Sequence, residues 1–303
     1  MNKTLVVGGS GFIGSALQKH VLDEQTENGF VFSFNKRHEK LDAKLEITRL
    51  DLLEEISREI INYPVAIYVA GNANHGLAKR SPMLDLDLNV RAFLNFMKEF
   101  RGSLVLLSSQ AVYYGLEGEI LETVDHVSTI PYGLSKQMTE AYAKYFLKNG
   151  FLSKLWIFRL AYAFGKGERE RRLIPRCANA VRKREKVTVF GGGKSFVNPL
   201  PAEFVAKILV KASEHLKGDK RGFMEITNMN YPEKVTVKDV VVSLNQIKSF
   251  DFSVKEPGEE WSVRFWGDTQ NLCSHMKEWK MDFPDLGVSL KNYFIELIKG
   301  KTK

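Results

Sequence analysis

Residues 5–14 read LVVGGSGFIG, an apolar run that opens onto glycines at positions 8, 11 and 14. Apolar residues then recur at helical spacing, so the stretch predicts a strand, a tight turn and a helix. Gly8 can turn the chain where a Cβ would clash, Gly11 lets the backbone approach a ligand, and Gly14 lets the helix lie close to the strand. The free N–H groups at the start of such a helix bind anions, most naturally the pyrophosphate of a dinucleotide. The spacing is G-x-x-G-x-x-G rather than G-x-G-x-x-G, and such turns can be purely structural, but the strand–turn–helix context favours a dinucleotide site.

The composition is that of a globular protein: of 303 residues, 44% are apolar and 26% are charged. This length is enough for one large domain or two modest ones. No stretch is long and apolar enough to span a bilayer, and the sequence starts with no basic-then-apolar leader, so we expect a cytoplasmic protein with no membrane partner. Cys177 and Cys273 lie far apart and outside any metal-ligating spacing, which predicts neither a disulfide framework nor a metal site.

The end of the second predicted strand indicates which dinucleotide is used. The strand, residues 30–34, is followed by Asn35, Lys36 and Arg37, just over twenty residues beyond Gly14. A protein that uses NAD needs a carboxylate here to accept a hydrogen bond from the ribose 2′-OH, whereas two cations would bind the 2′-phosphate of NADP(H). The sequence therefore favours NADP(H) over NAD(H), although a basic turn at a strand end is the alternative.

Strand and helix patterns alternate from residue 4 to residue 165, which predicts a doubly wound parallel sheet of the α/β class. The later predicted strands are 49–52, 65–70, 104–107 and 156–160. Helices are predicted over 53–61, from 81 to 100 and from 131, and then near 173–184, 202–215, 236–247 and 287–299. Ligands of such sheets collect at the carboxyl ends of the strands. Four candidate residues lie at such strand ends: Gly8, Asn35, Gly71 and Ser109.

A tyrosine and a lysine lie one helical turn apart, since Tyr132 and Lys136 are four residues apart in a predicted helix. A phenol titrates near pH 10, and a neighbouring ammonium stabilises its phenolate. Beside a nicotinamide, the phenol could protonate a carbonyl oxygen as hydride arrives, or deprotonate an alcohol as hydride leaves. Ser109, at a strand end, can hydrogen-bond the same oxygen. A Y-x-x-x-K pair alone is often a surface pair, but here it follows a dinucleotide turn and a strand-end serine.

The motifs together resemble those of the extended short-chain dehydrogenase/reductase family, which comprises nucleotide-sugar epimerases, dehydratases and reductases. In family order they are GGSGFIG from Gly8, Asp51-Leu52, Asn89-Val90, SSQAVY from Ser108, YGLSK from Tyr132, Arg159, Phe164-Gly165 and Val205-Ala206. The resemblance implies catalytic Tyr132, Lys136 and Ser109, and a dimer built on the helices after Ser81 and Ser135. It also implies a dinucleotide-binding Rossmann domain over 1–165 and a smaller α/β substrate-binding domain over 166–303, with some chain crossing back to the first.

The resemblance and the strand-end positions together predict the cofactor-binding residues. They are Gly8, Gly11, Phe12, Ile13, Gly14, Asn35, Lys36, Arg37, Asp51, Leu52, Ala70, Gly71 and Lys136.

The chain departs from the family pattern where the substrate is recognised. Gln110-Ala111 stand where dehydratases carry an Asp-Glu pair, which argues against 4,6-dehydration. No cysteine follows the serine, and Arg172 takes the place of the histidine used by reductases that also epimerise. Val197-Asn198 replaces the usual Arg-Asp, so a common diphosphate-binding arginine is missing, and Tyr162 replaces the usual Asn. The candidates for a substitute are Arg172, Arg176 and Arg264.

Basic residues are concentrated between Lys166 and Lys186, where nine of them and three acidic residues supply +6 of the net charge of +8. This segment is either a solvated face or a site for a phosphate-bearing partner.

Three functions remain open from the sequence. The first is an NADP(H)-dependent reductase or dehydrogenase of a nucleotide-linked keto-sugar, and we expect a homodimer. The second is an NAD-dependent nucleotide-sugar 4-epimerase of the UDP-glucose/galactose type. The third is a catalytically silent dinucleotide sensor or nucleic-acid-binding relative, against which the intact Ser109, Tyr132 and Lys136 set argues.

Overall fold

The computed structural model describes residues 3–36, 38–218, 222–256 and 263–300. Its strands are β1 (Thr4–Val7), β2 (Phe30–Phe34), β3 (Glu46–Arg49), β4 (Val65–Tyr68), β5 (Ser103–Ser109), β6 (Glu117–Ile120), β7 (Lys154–Leu160), β8 (Tyr162–Phe164), β9 (Val187–Val189), β10 (Pro199–Pro201), β11 (Met224–Met229), β12 (Phe252–Val254) and β13 (Arg264–Gly267). Its α-helices are α1 (Phe12–Asp23), α2 (His75–Arg80), α3 (Pro82–Leu86), α4 (Ala92–Glu99), α5 (Pro131–Lys148), α6 (Leu173–Lys183), α7 (Ala202–Leu216), α8 (Val237–Ile247), α9 (Gln270–Glu278) and α10 (Leu286–Lys299). None of these described helices has the length and apolar character needed to cross a membrane.

The main sheet has seven strands in the order β11-β7-β5-β4-β1-β2-β3, and every pairing in it is parallel. Its central strands are short, continuous apolar runs, because helices cover both faces of a parallel sheet. β1 and β4, for example, are buried at every position. The sequence prediction of an α/β chain with a doubly wound parallel sheet is therefore confirmed.

The chain divides into two compact units that interleave along the sequence. Unit 1 comprises Met1–Gly115, Glu122–Leu160 and Glu203–Met229, and holds the seven-stranded sheet. Unit 2 comprises Leu116–Leu121, Ala161–Ala202 and Asn230–Lys303, and holds three parallel strand pairs, β10-β8, β12-β9 and β13-β6. Each unit has an apolar core of its own, the larger around Phe93 and Phe96 and the smaller around Phe164 and Phe294.

Three local predictions were wrong. The predicted helix over 53–61 is instead a 3₁₀ turn at Arg58–Asn62, where the Ser57 hydroxyl accepts from the Glu59 N–H and so starts a new turn inside the apolar pattern. The third strand ends at Arg49, where it was predicted to begin. The predicted helix from 81 to 100 is interrupted by a π-turn at Asp87–Arg91 between α3 and α4.

Candidate active site

The glycine turn after β1 is packed too tightly for side chains at Gly8, Gly9 and Gly14. A Cβ on Gly8, whose φ is +96°, would lie 2.8 Å from the backbone N of Ala70 in the loop after β4. A Cβ on Gly14 would lie 2.3 Å from the carbonyl oxygen of Gly8, which is why α1 can pack directly against the turn. Gly11 is exposed, and among the described residues a Cβ there would have only that same oxygen nearby, at 3.2 Å, so its surroundings leave room for a ligand.

The N-terminus of α1 is open to an anion. Across the whole of α1, which lies within the described residues, no side chain caps the first turn and no acidic residue occupies it. Phe12 and Ile13 form that first turn, Phe12 half-buried and Ile13 buried. The helix therefore presents free N–H groups and the positive end of its dipole, which is the arrangement that binds a pyrophosphate.

A buried glutamine that the sequence reasoning missed holds the turn in shape. Gln18 donates from Nε2 to the carbonyl oxygens of Gly9 (2.8 Å) and Lys40 (3.2 Å), and its Oε1 accepts from the N–H of Asp42 (3.1 Å). The available signal was a polar residue on the apolar face of a predicted amphipathic helix.

The residues predicted to bind the adenosine half of the dinucleotide follow β2 and β3. The side-chain Oδ1 of Asn35 is buried with no hydrogen-bond partner among the described residues, whereas Lys36 is exposed. Arg37, the third predicted residue here, lies outside the described residues. Asp51 accepts from the N–H of Leu53 (3.0 Å), and Leu52 packs against the apolar core of unit 1.

A network of buried polar residues packs against Gly71 and links the loop after β4 to helix α5. Asn89, in the π-turn, accepts from the N–H of Asn72 (2.9 Å) and donates from Nδ2 to Asp85 (2.9 Å) and to Ser135 Oγ (3.1 Å). A Cβ on Gly71 would lie 2.5 Å from Asn89 Oδ1. The network fixes the loop after β4 relative to the helix that carries Tyr132 and Lys136, and π-turns often occur at functional sites.

Ser109 and Tyr132 lie on segments that pack against each other. Ser109 ends β5, and its Oγ accepts from the N–H of Ala111 (3.1 Å), which leaves its hydroxyl hydrogen able to donate to a ligand. Tyr132 is buried against Ala111, in the second position of α5. The contact is close because Gly133 follows: a Cβ there would lie 2.2 Å from the Ala111 carbonyl oxygen and 2.0 Å from Ser128 Oγ.

Lys136 lies beneath the end of β5. Its Nζ donates to the carbonyl oxygen of Leu107 (3.3 Å), two residues before Ser109. Burial lowers the pKa of Lys136 to about 8, and the carboxylates of Glu140 and Asp85 oppose that fall. A lysine with this pKa is close to its titration point at neutral pH, as is typical of residues in active sites.

A buried ion pair lies one helical turn beyond Lys136. Glu140 accepts hydrogen bonds from Nη2 of Arg159 (2.7 Å) and from the hydroxyl of Ser108 (2.5 Å). Arg159 also donates to the hydroxyl of Tyr113 (2.8 Å), and the hydrogen bonds with Glu140 raise the pKa of Arg159 despite its burial. Both partners also have further hydrogen bonds, which together with their mutual attraction offset the cost of burying two charges.

An unpredicted histidine covers the ring of Tyr132. His75, the first residue of α2, is exposed, and its imidazole stacks on the Tyr132 phenol with a centroid distance of 4.6 Å. It also meets Tyr114 edge to face, at 5.8 Å. No periodic pattern in the sequence marks such a residue, because α2 has only six residues.

The glycine turn, the strand-end serine and the Tyr–Lys pair thus lie at the carboxyl ends of β1, β4 and β5. Comparison of the sequence with models of known families gives a match over residues 4–226, to the model described as the NAD dependent epimerase/dehydratase family. The chain belongs to that family. It is an NAD(P)-dependent enzyme of the extended short-chain dehydrogenase/reductase type, as the sequence motifs predicted.

One curated relative and several solved structures match over most of their length. A dTDP-4-dehydro-6-deoxyglucose reductase from Escherichia coli is 25% identical over 272 residues, which cover 80% of this chain and 81% of the relative. A structure of UDP-glucose 4-epimerase from Brucella ovis in complex with NAD has a TM-score of 0.85 at 20% identity, over 98% of this chain and 99% of that one. A structure of MoeE5 in complex with UDP-glucose and NAD has a TM-score of 0.82 at 20% identity, over 97% and 98%.

The residues present fit a nicotinamide dinucleotide. The open space at Gly11, the uncapped start of α1 and the buried, unsatisfied Oδ1 of Asn35 are features that a bound dinucleotide would satisfy, within the described part of unit 1. The glycines and α1 would hold the pyrophosphate, and Asn35 would meet the adenosine ribose.

Proposed function

We propose that this chain is an NADP(H)-dependent reductase or dehydrogenase that acts on a nucleotide-linked keto-sugar. The observation that carries the proposal is the grouping of Ser109, Tyr132 and Lys136 at the carboxyl ends of the strands, where the glycine turn also lies. Unit 1 would bind the dinucleotide, and residues 166–303 would supply substrate recognition.

In this mechanism Tyr132 and Ser109 act on the carbonyl oxygen of the sugar, and Lys136 acts on Tyr132. When bound, NADP(H) supplies the hydride that the carbonyl carbon receives. Tyr132 donates its phenolic proton to the carbonyl oxygen, which completes the alcohol, and Ser109 donates a hydrogen bond to the same oxygen. The Lys136 ammonium stabilises the phenolate that remains on Tyr132, and solvent returns the proton. In the reverse direction the phenolate removes the alcohol proton.

The substrate class is supported by the relatives. The Escherichia coli relative is named for reduction of a dTDP-linked keto-sugar, and two of the similar structures are of proteins named for, or solved with, UDP-glucose. The preference for NADP(H) is supported by Lys36 at the end of β2, where no carboxylate would repel a 2′-phosphate.

The direct experiment supplies purified protein with NADPH and a dTDP- or UDP-linked 4-keto-sugar, and follows NADPH oxidation together with the sugar product. We expect stoichiometric formation of alcohol and NADP⁺. Substrate conversion without net NADPH oxidation would contradict the reductase.

A 4-epimerase is the second candidate, and the buried Oδ1 of Asn35 favours it, because this oxygen could accept from an unphosphorylated ribose hydroxyl of NAD. An epimerase oxidises and re-reduces one sugar, and so keeps its cofactor. NAD retained by the purified protein would favour the epimerase, whereas exchangeable NADPH would favour the reductase.

We also propose a homodimer formed through the helices after Ser81 and Ser135. Large apolar side chains are exposed there, including Met83 (72% exposed) on α3 and Met138 (48%) and Tyr145 (54%) on α5. Exposed apolar side chains grouped on neighbouring helices are typical of a protein interface. Light scattering on the wild type and on a Met138→Asp, Tyr145→Asp double variant tests this, with a dimer expected for the first and a monomer for the second.

A further inference from the structure

Unit 2 contains an arginine, Arg172, whose guanidinium is held in one orientation by two neighbouring side chains. The guanidinium of Arg172 lies over the ring of Tyr162, with 4.0 Å between Cζ and the ring centroid, and its Nε lies 3.3 Å from Oε1 of Glu168. About a third of the Arg172 side chain is exposed (32%), while that of Glu168 is fully buried. Within the described ranges, no acceptor contacts Nη1 or Nη2 of Arg172. The stack and the ion pair therefore orient the guanidinium and leave its outer pair of nitrogens available.

Glu168 is itself held in place for this pairing. The hydroxyl of Tyr162 donates to the same Oε1 atom that faces Arg172. Burial raises the pKa of Glu168, whereas the Arg172 guanidinium and the hydroxyls of Tyr162 and Tyr293 oppose that rise. The carboxylate, the stacked ring and the guanidinium form one connected cluster, so Arg172 would lose little side-chain freedom when it binds a ligand.

The two other candidate arginines of this unit are placed differently. Arg264 pairs through Nη1 with Glu117 at 2.8 Å, and both side chains are more than half exposed. Arg176 is exposed and has a long contact of 3.5 Å from Nη2 to the carbonyl oxygen of Thr188. A guanidinium that is fixed in orientation, with both Nη groups free, suits bidentate binding of phosphate oxygens, and among these three Arg172 alone has that arrangement.

Val197 stands where the family pattern predicts an arginine, and it packs against the apolar core of unit 2. The next residue, Asn198, has a structural purpose. Asn198 is buried at a φ of +37°, and its Nδ2 donates to the carbonyl oxygens of Tyr231 (3.1 Å) and Glu233 (2.7 Å). It therefore clamps the loop that follows β11 and provides no positive charge. A cation for an anionic ligand must come from elsewhere in the unit. Arg172 directly precedes α6, whose first turn, described in full, has no acidic residue to compete with an anion.

We propose that Arg172, positioned by Glu168 and Tyr162, binds a phosphate group of a nucleoside diphosphate. The ligand class rests on the proposed function, whereas the fixed guanidinium does not.

The test measures the affinity of the full-length protein for dTDP and UDP by isothermal titration calorimetry, with inorganic phosphate as a second probe. Arg172→Gln is expected to weaken nucleoside diphosphate binding by about 10- to 100-fold, the loss for hydrogen bonds to a charged group. Arg172→Lys keeps the charge but not the planar fork, so an intermediate loss is expected. Glu168→Gln, which removes the positioning charge, is expected to weaken binding while NADPH affinity stays unchanged.

Arg171→Gln is the matched control, because Arg171 is the neighbouring exposed arginine and its loss removes the same charge. It is expected to change affinity by less than about twofold, as surface charges contribute little. Thermal unfolding and NADPH affinity confirm that each variant is folded. Wild-type dTDP and UDP affinity in a folded Arg172→Gln variant would overturn the proposal, and so would a wild type that binds neither nucleotide. Binding of inorganic phosphate with no preference for the nucleotides would overturn the ligand class.

These outcomes separate this inference from the proposed function. NADPH-dependent reduction that survives unchanged in Arg172→Gln, with unchanged KM, would remove the phosphate site and keep the reductase. Arg172-dependent dTDP binding in a protein that turns over no keto-sugar would keep the site and remove the reductase.

Discussion

The imidazole of His75 stacks on the phenol ring of Tyr132, with ring centroids 4.6 Å apart and 28° between their planes. His75 is exposed, whereas Tyr132 is only 5% exposed, so the histidine covers one face of the proposed acid–base group. Its backbone is fixed because the preceding Asn74 caps α2 through the N–H of Leu77 (3.2 Å). His75 is therefore placed to restrict the orientation of the Tyr132 ring.

Removal of this stack should slow the reaction without abolishing it. His75→Ala is expected to lower kcat by about two- to tenfold, because an aromatic pair contributes about 0.5–1.5 kcal/mol beyond burial. His75→Phe, the matched variant, keeps an aromatic ring and should retain most of the activity. Steady-state kinetics at saturating NADPH measure both, and equal rates for His75→Ala and the wild type would show that the stack does not position Tyr132.

Loss of the Tyr132 hydroxyl should have a much larger effect. Tyr132→Phe keeps the ring and its stack on His75 but has no proton to donate, so kcat should fall by about 10²–10⁴-fold. The Kd for NADPH should not change, which fluorescence titration can verify. Turnover near the wild-type level in this variant would eliminate the proposed mechanism.

The pKa of Lys136 predicts a pH dependence. Burial lowers this pKa from 10.5 to about 8, so the ammonium that stabilises the phenolate is lost as pH rises through about 8. We expect kcat/KM for reduction to fall across that pH, and Lys136→Met to have low activity without the inflection. The unfolded chain keeps this proton to higher pH than the folded chain, so the contribution to folding stability rises between about pH 8 and 10.5. A profile of kcat/KM that stays flat across pH 8 would contradict the assignment.

Two glycines of the first turn should respond differently to the same added methyl group. Gly14→Ala places a Cβ 2.3 Å from a backbone oxygen and should destabilise the fold by about 1–3 kcal/mol, since backbone must shift. In the part of the chain that the structure describes, the methyl group of Gly11→Ala meets a single atom, at 3.2 Å, so this variant should fold normally but weaken dinucleotide binding. Urea unfolding and NADPH titration distinguish the two effects. Normal NADPH affinity in Gly11→Ala would indicate that the pyrophosphate lies elsewhere.

Lys36 should determine the preference between the two dinucleotides. Lys36→Glu is expected to raise KM for NADPH by about tenfold and leave KM for NADH similar or lower, because the carboxylate repels a 2′-phosphate. Lys44→Glu reverses the charge of another exposed lysine and serves as the control. A parallel change for both cofactors in Lys36→Glu would contradict the predicted NADP(H) preference.

The sequence alone predicted the parts of the molecule that follow from local patterns. The strand–turn–helix of residues 5–14 combines an apolar run, glycine spacing and helical periodicity, and β1 and α1 lie there. The helices near 173–184, 202–215, 236–247 and 287–299 were also recovered to within about two residues as α6, α7, α8 and α10.

The features that escaped prediction depend on contacts distant in sequence. The six-residue helix α2 is too short to show a period, so the stack of His75 on Tyr132, 57 residues later, has no local signal. The π-turn that carries Asn89 looks like ordinary helix in the sequence, because Leu86, Val90, Phe93 and Met97 keep helical spacing across it. The interleaving of the two units likewise follows from which strands pair, as when β11 joins β7 at the edge of the main sheet.

The absence of a side chain at residue 133 limits how this enzyme can diverge. A single methyl group there would meet Ser128 Oγ at 2.0 Å and the Ala111 carbonyl oxygen at 2.2 Å. It would push apart the two segments that carry the hydroxyls of Ser109 and Tyr132. Variants selected in the laboratory for new specificities should therefore leave that glycine untouched.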